Sequence, residues 1–334
     1  MSNWRRRASS NQGGKDVAAI VSRECSKAGF EATGVPARVF EGSFFEDSGF
    51  LPKFKNYLVN KQFPKACSNR KGLIKRSLDQ LDSLEPTGKF RAATILGVPG
   101  SGKTTLLTNI KRALPEALLV YPNVNLESNY RSFESSYYLP KILALDIELN
   151  FSTVLVDEYT LCESAELLLL QRKVKATRIF LFGDRGQGNS DSLVSPEWLQ
   201  VPCIYEKISS HRYGGATSGF LKKVGLNIEG SNDIVDSVEE LGYEGESEVT
   251  DINLCFSEKT KADLQECGID CSIVNQVQGS EFESATVFIA DWDSNVSFEE
   301  FVVGFTRHRK KLIVRSAHEV KLLGEPRVRT HKYV

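Results

Sequence analysis

Two stretches of this chain hold residue types able to do phosphate chemistry. Gly97-Val98-Pro99-Gly100-Ser101-Gly102-Lys103-Thr104-Thr105 fits the pattern G-x-x-x-x-G-K-[ST] throughout. Its glycines let backbone N–H groups turn inward and wrap a polyphosphate, and the next helix adds the positive end of its dipole. Gly97, Pro99, Gly100, Ser101, Gly102, Lys103, Thr104 and Thr105 are therefore expected to line a nucleotide. Lys103 reaches the β- and γ-phosphates, and the Thr104 hydroxyl is a ligand for Mg²⁺. Val154-Leu155-Val156-Asp157-Glu158 is an apolar run ending in two carboxylates. Asp157 can hold Mg²⁺, and Glu158 can orient and deprotonate an attacking water. ATP, or another nucleoside triphosphate, with Mg²⁺ is the implied cofactor set. Polyphosphate recognition is blind to the base, so weak discrimination among triphosphates is expected.

Three later segments could complete such a site. Phe182-Gly183-Asp184-Arg185-Gly186-Gln187 leaves an apolar run, and Gln187 is a neutral donor suited to sensing the γ-phosphate. His211-Arg212-Tyr213 and Val302-Val303-Gly304-Phe305-Thr306-Arg307-His308-Arg309 carry arginines. Arg212 and Arg307 are expected to stabilise charge on the phosphoryl group in transfer, reaching it from a second unit.

The elements that must position these residues follow from apolar runs. Strands are expected at Ala92–Leu96, Ala117–Tyr121, Thr153–Val156, Arg178–Phe182 and Pro202–Tyr205. Thr105 to Leu114 is helix-permissive. Thr160-Leu161-Cys162-Glu163 has the spacing of a capping box ahead of Leu167 to Leu170. Strands alternating with helices imply a parallel sheet in an α/β layer. A second series has strands at Asp251–Phe256, Ile269–Val274, Ala285–Ala290 and Lys311–Val314. Its helices are Ser257 to Cys267, ended by Gly268, and Phe298 to Arg307, opened by a capping box at Ser297. Between the two series, Glu229 to Glu248 holds eight acidic residues and no basic one, and is expected to be a solvated loop or insertion. The fold class is thus α/β, with two parallel-sheet units, and only the first carries a phosphate loop.

Composition narrows the function classes. The chain has 334 residues, room for two compact domains and an extra segment. No apolar run approaches the roughly 20 residues of a membrane span, and the polar start with Arg5, Arg6 and Arg7 is no secretory signal. The seven cysteines form no C-x-x-C pair and read as reduced thiols. Charge is uneven: residues 1–90 carry 16 Lys and Arg against 9 Asp and Glu, and the remainder 26 against 34. Between Gly49 and Leu78 there is no acidic residue, while Lys53, Lys55, Lys61, Lys65, Arg70, Lys71, Lys75 and Arg76 all occur. Such a basic front on an acidic remainder suits an anionic polymer, and Lys53 to Lys71 are expected to contact it. The first 20 or so residues read as disordered. Phe44, Phe45, Phe50, Phe54, Tyr57, Leu58 and Phe63 could pack as a small helical piece. A linker at Pro86-Thr87-Gly88 ends this front segment.

These motifs, in this order, resemble the helicase domain of superfamily 1 in its plus-strand RNA virus branch, over roughly Arg91 to Val314. The residues that carry the resemblance are the phosphate loop, Asp157-Glu158, Gly183 to Gln187, Arg212, Gln278-Gly279 with Phe282, and Thr306 to Arg309. The resemblance implies two RecA-like domains after a basic, partly disordered N-terminal extension: residues 1–88, 89–208 and 209–334. It further implies triphosphate hydrolysis coupled to RNA binding across both domains. It puts Gln278, Gly279 and Arg309 at the nucleotide and Tyr121 and Pro122 against RNA. Ile273 and Gln276 stand where the family tends to have Thr and an acidic residue.

With only a short front segment, the chain reads as a free-standing helicase, most like the first movement proteins of the plant-virus triple gene block. That likeness implies viral single-stranded RNA, small viral membrane movement proteins, coat protein and further copies of the chain as partners. It implies the host cytoplasm and plasmodesmata as locations. A replicative RNA helicase, and a ribonucleoprotein component or silencing suppressor with incidental ATPase, are the alternative readings.

Overall fold

The computed structural model describes residues 16–40, 88–145, 149–184, 186, 199–245, 248–277, 280–293, 296–318 and 320. In chain order the elements are α1 (Val17–Lys27), β1 (Glu31–Ala32), β2 (Arg38–Phe40), β3 (Phe90–Gly97), α2 (Lys103–Ala113), β4 (Leu118–Tyr121), α3 (Glu127–Tyr130), β5 (Ser136–Tyr138), α4 (Leu139–Leu143) and β6 (Thr153–Val156). They continue with α5 (Ser164–Val174), β7 (Arg178–Gly183), β8 (Cys203–Lys207), α6 (Gly215–Lys223), β9 (Ser237–Leu241), β10 (Ile252–Cys255), α7 (Glu258–Glu266), β11 (Ser272–Ile273), β12 (Phe282–Ile289), α8 (Phe298–Phe305) and β13 (His308–Ser316). The described residues divide into two compact units. The first takes those up to Leu96, Lys103–Gly183 and those from 199 to Lys207. The second takes Gly97–Gly102, Asp184, Gly186 and those from Ile208 onward.

In the first unit the strand order is β1-β8-β3-β7-β6-β4-β5, with β2 beside β3. The pairs β3–β7, β7–β6, β6–β4 and β4–β5 are parallel. Strands in such a sheet are buried on both faces and read as continuous apolar runs. Alternation sorts them: Leu96, Val120, Val154 and Val156 enter one core, and Ile95, Leu119, Leu155 and Phe182 the other. The sheet is not wholly parallel, because the short strands β1 and β2 pair antiparallel to β8 and β3.

Residues 17–40, expected in a separate front segment, are built into this unit. Asp16 caps α1 by accepting from the Ala18 and Ala19 N–H groups, at 3.1 and 3.2 Å. Val17, Val21 and Cys25 share a core with Leu106, Leu107 and Ile110 of α2. Lys207 Nζ donates to the Ala28 carbonyl at 2.7 Å, which ties the end of α1 to β8. The disorder expected for the first 20 or so residues therefore does not extend into α1. The aromatic and basic run from Phe44 to Arg76 lies outside the described residues.

The helix α5 starts later than its sequence suggests. Thr160 and Leu161 form a 3₁₀ turn, and the capping box is Glu163 with Glu166. A carboxylate three residues further on offers the same acceptor that the Thr160 hydroxyl would have offered.

The second unit has a five-stranded parallel sheet in the order β11-β10-β12-β13-β9. The acidic stretch is not simply a solvated loop, because β9 adds to β13 in register from Lys311↔Ser237 to Arg315↔Leu241. Its acidity is matched by lysine: Lys311 pairs with Glu239 and Glu248, and Lys223 with Glu240. Just ahead of β9, Asp236 accepts from the Gly214, Ala216 and Thr217 N–H groups and so caps α6. The run Ile269–Val274 yields only the two-residue β11, followed by a 3₁₀ turn over Val274–Val277. Ser297 and Glu300 form the expected capping box of α8.

Candidate nucleotide and metal site

Chain direction places the chemistry of the first unit. β3 and β6 flank β7 and run parallel to it, so the exit of β3 and the Asp157-Glu158 pair lie at the same edge of the sheet. α2 opens at Lys103, whose side chain is buried. Asp157 is 0% exposed. Its N–H continues the ladder by donating to the Val120 carbonyl at 2.9 Å. Burial raises its pKa, the Glu158 charge raises it further, and the Tyr130 hydrogen bond and the Lys103 charge oppose them. Its Oδ2 accepts from the Tyr130 hydroxyl, and its Oδ1 has no hydrogen-bond partner among the described residues.

Glu158 turns out of the strand at φ 45°, ψ 43°. A left-handed non-glycine residue costs on the order of 1–3 kcal/mol and persists only where its surroundings enforce it. Tyr159 supplies that enforcement: it is buried, and its ring packs so closely on Gly183 that a Cβ there would lie 2.7 Å from Tyr159 Cδ1. Gly183 is thus required for this close approach. Glu158 Oε2 is buried without a hydrogen-bond partner among the described residues.

In the second unit the loop Gly97–Gly102 meets the segment around Arg212. Gly100 and Gly102 have φ of 73° and 91°. A Cβ on Gly100 would lie 2.5 Å from Ser210 Oγ and 2.6 Å from Arg212 Cβ. The His211 N–H donates to the Gly100 carbonyl at 2.9 Å. Ser210 is held in turn by its N–H to the Glu229 carbonyl at 2.7 Å.

The arginines divide into two kinds. Arg212 donates through Nη1 to the Thr306 carbonyl at 2.6 Å and through Nη2 to Glu281 Oε1. Arg309 donates to the other oxygen of the same carboxylate, from Nε at 3.1 Å and Nη2 at 2.6 Å. Burial raises the Glu281 pKa, but the two arginines outweigh it and hold the carboxyl below its usual range. Arg307 differs. It is 2% exposed, and its Nε and Nη1 donate to the Val303 and Ser280 carbonyls. Expected at the phosphoryl group, Arg307 instead ties the end of α8 to the start of β12. His308 is buried beside it, with Nε2 2.7 Å from Thr217 Oγ1.

Other expected site residues fare unevenly. Tyr121, expected against RNA, is 3% exposed and packs on the Tyr130 and Tyr138 rings at 5.5 and 6.3 Å. A ring enclosed on both sides cannot stack on a base, so Tyr121 is a core residue; Pro122 beside it is half-buried. Gln187, Gln278, Gly279 and the basic residues Lys53, Lys55, Lys61, Lys65, Arg70 and Lys71 lie outside the described residues. Sequence reasoning missed Tyr130 and Glu281. Glu281 lies between Gly279 and Phe282 and was given no role, and Tyr130 is 27 residues from its partner with no motif around it.

The family model of the viral superfamily 1 RNA helicase core domain matches residues 93–316. The TGB1 movement protein of Peanut clump virus is 40% identical over 317 residues, covering 94% of this chain and 71% of that protein. The TGB1 movement protein of Potato mop-top virus is 38% identical over 315 residues, covering 93% and 68%. The chain belongs to the viral superfamily 1 RNA helicases, among the TGB1 movement proteins. An arterivirus nonstructural protein 10 helicase, solved with DNA, shares the fold at TM-score 0.53 and 17% identity, covering 73% of this chain and 64% of that one.

In this helicase core the matched span runs from β3 to β13 and takes in the phosphate loop, Asp157-Glu158, Arg212, Glu281 and Arg309. α1, β1 and β2 precede it. Family membership implies use of a nucleoside triphosphate, usually with Mg²⁺. The residues present fit that ion: a hard cation takes carboxylate and hydroxyl oxygens, and Asp157 offers a buried oxygen with no hydrogen-bond partner among the described residues. Among the described residues no helix is long and apolar enough to cross a membrane.

Proposed function

We propose that this chain is an NTP-driven RNA helicase that binds viral single-stranded RNA and supports its movement between cells through plasmodesmata. The observation that carries the enzymatic part is the fully buried Asp157, with one carboxylate oxygen uncommitted, in the same unit as Lys103 and Thr104. The movement part rests on the identity to the two TGB1 movement proteins.

In this reading, Gly97 to Gly102 hold the phosphates through backbone N–H groups, and Lys103 neutralises the β- and γ-phosphate charge. Thr104 and Asp157 would hold Mg²⁺, which would supply charge neutralisation at the phosphates. Glu158 takes a proton from the attacking water. Arg212, which abuts Gly100, is the arginine that meets the γ-phosphate, with Glu281 and Arg309 beside it. Gln187 and Gln278-Gly279 complete the nucleotide contacts, and the basic run Lys53 to Lys71 engages RNA. Small viral membrane proteins and coat protein are the partners this role requires, in the cytoplasm and at plasmodesmata.

Phosphate release with and without single-stranded RNA tests the reading. Wild type should hydrolyse triphosphates, and faster with RNA. Lys103→Ala should lose roughly 10²–10³ in kcat, the usual effect of removing one such electrostatic stabiliser. Hydrolysis by Lys103→Ala within twofold of wild type refutes the assignment.

A further inference from the structure

We infer that Tyr130 is a positioning residue for the divalent cation, orienting the Asp157 carboxylate through its phenol hydroxyl. This rests on the nucleotide-site reading above and adds to it a residue that lies in neither phosphate motif.

Tyr130 is fixed from three directions. Its ring packs on Tyr121 at 5.5 Å. Its carbonyl accepts from Ser136 Oγ at 2.8 Å and from the Phe133 N–H at 2.9 Å. Its hydroxyl donates to Asp157 Oδ2, and the Thr104 side chain lies near enough to the same phenol to oppose the rise in its pKa that burial causes. The ring is 0% exposed, so no water competes for these bonds.

The phenol has one proton, and it donates it in a hydrogen bond to Asp157 Oδ2. That bond fixes the carboxylate rotamer and leaves Oδ1 without a partner among the described residues. The carboxylate ligand is thus oriented before the cation arrives, within reach of the Lys103 charge. A phenol is bulkier than a water and cannot drift, so the direction of Oδ1 is set by the packing of Tyr130 on Tyr121. Partners that orient metal ligands in this way typically matter about 10–100-fold in metal affinity.

The test is equilibrium binding of a fluorescent triphosphate analogue to the full chain, titrated with Mg²⁺. Tyr130→Phe removes one oxygen and keeps the ring, and circular dichroism checks its fold. The expected result is a Mg²⁺ half-point raised about tenfold or more, with binding in the absence of Mg²⁺ unchanged. In an Asp157→Asn background the same substitution should have no further effect. A half-point within twofold of wild type, or below it because the phenol competes with the cation, overturns the inference while leaving the nucleotide site intact. Failure of wild type to bind the analogue overturns the nucleotide-site reading, and this inference with it. If Tyr130→Phe does not fold, the wild-type protein decides. Adding Mg²⁺ with the triphosphate should perturb tyrosine ultraviolet absorption more than the triphosphate alone does, and equal spectra overturn the inference.

Discussion

At the scale of residues, one carboxylate organises the arginines of the second unit. Glu281 takes Arg212 on one oxygen and Arg309 on the other, while Arg307 is committed to main-chain carbonyls. Three arginines that look alike in the sequence therefore have different tasks. Arg212→Ala should slow hydrolysis far more than it weakens diphosphate binding, because its proposed target is the γ-phosphate. Arg307→Ala should instead lower the stability read from a urea titration, by about 1–3 kcal/mol, since it removes a buried side chain that donates to the Val303 and Ser280 carbonyls. Comparing kcat, diphosphate affinity and the denaturation midpoint for the two variants separates these roles. Equal losses of diphosphate and triphosphate affinity in Arg212→Ala would make it a structural residue as well.

At the scale of elements, the junction of α6 and β13 carries a pH dependence. His308 opens β13, and its pKa is lowered to about 4, chiefly by burial, with Asp236 opposing and Arg212 and Arg307 adding to the shift. Between the unfolded histidine value of about 6.5 and the folded value, the unfolded chain binds the proton and the folded chain does not. Stability therefore falls as pH drops through that window, by about 3 kcal/mol at most. His308→Gln can keep a bond to Thr217 and does not titrate, so its denaturation midpoint should fall less from pH 6.5 to 4. Parallel profiles for the two proteins would contradict this.

The phosphate loop has its own element-scale test. Gly100→Ala puts a Cβ against Arg212 Cβ at a φ of 73°. The backbone must move, so the variant should lose nucleotide affinity and more than about 1 kcal/mol of stability. Unchanged nucleotide affinity would show that the loop does not need this approach.

Which elements the sequence disclosed follows from their burial. β3, β4, β6 and β7 are buried on both faces, so apolar runs mark them; β6 spans Thr153–Val156 as read. β9 is Ser-Val-Glu-Glu-Leu on the edge of its sheet, mostly exposed, and its acidity hid it. β1 and β2, at two and three residues, are too short to leave a period. The site divides in the same way. A phosphate loop is local and legible, whereas the Tyr130–Asp157 bond depends on how α3 packs, and no spacing encodes it.

At the scale of the whole molecule, the front of the chain is not one separable module. Removing everything before Pro86 would strip Val17, Val21, Phe30 and Phe40 from the cores of the first unit. At about 1.5–3 kcal/mol for each fully buried apolar side chain, that loss rivals the roughly 5–15 kcal/mol by which whole proteins are stable. Such a truncation should aggregate or melt well below the full chain, which a thermal melt would detect. RNA binding by the basic run is better tested in the full chain, with Lys53, Lys55, Lys61, Lys65, Arg70 and Lys71 changed to Gln. Single-strand binding falls with salt at a log–log slope of about −0.7 per phosphate contact. If four of the six engage, the slope should flatten by about 3, while hydrolysis without RNA is unchanged. An unchanged slope would leave RNA binding to the helicase core and make the basic run a site for a protein partner.

The central proposal is that Lys103, Thr104 and the Asp157-Glu158 pair, all in the first unit, form one Mg²⁺-dependent hydrolytic site. Glu158→Gln tests it most directly, because it keeps shape and hydrogen bonding and removes only the base. Triphosphate binding and phosphate release should be measured on the same preparation. Binding with Mg²⁺ should stay near wild type while turnover falls about 10²–10⁴-fold. Normal turnover, or a collapse of nucleotide affinity with residual turnover intact, would contradict the claim.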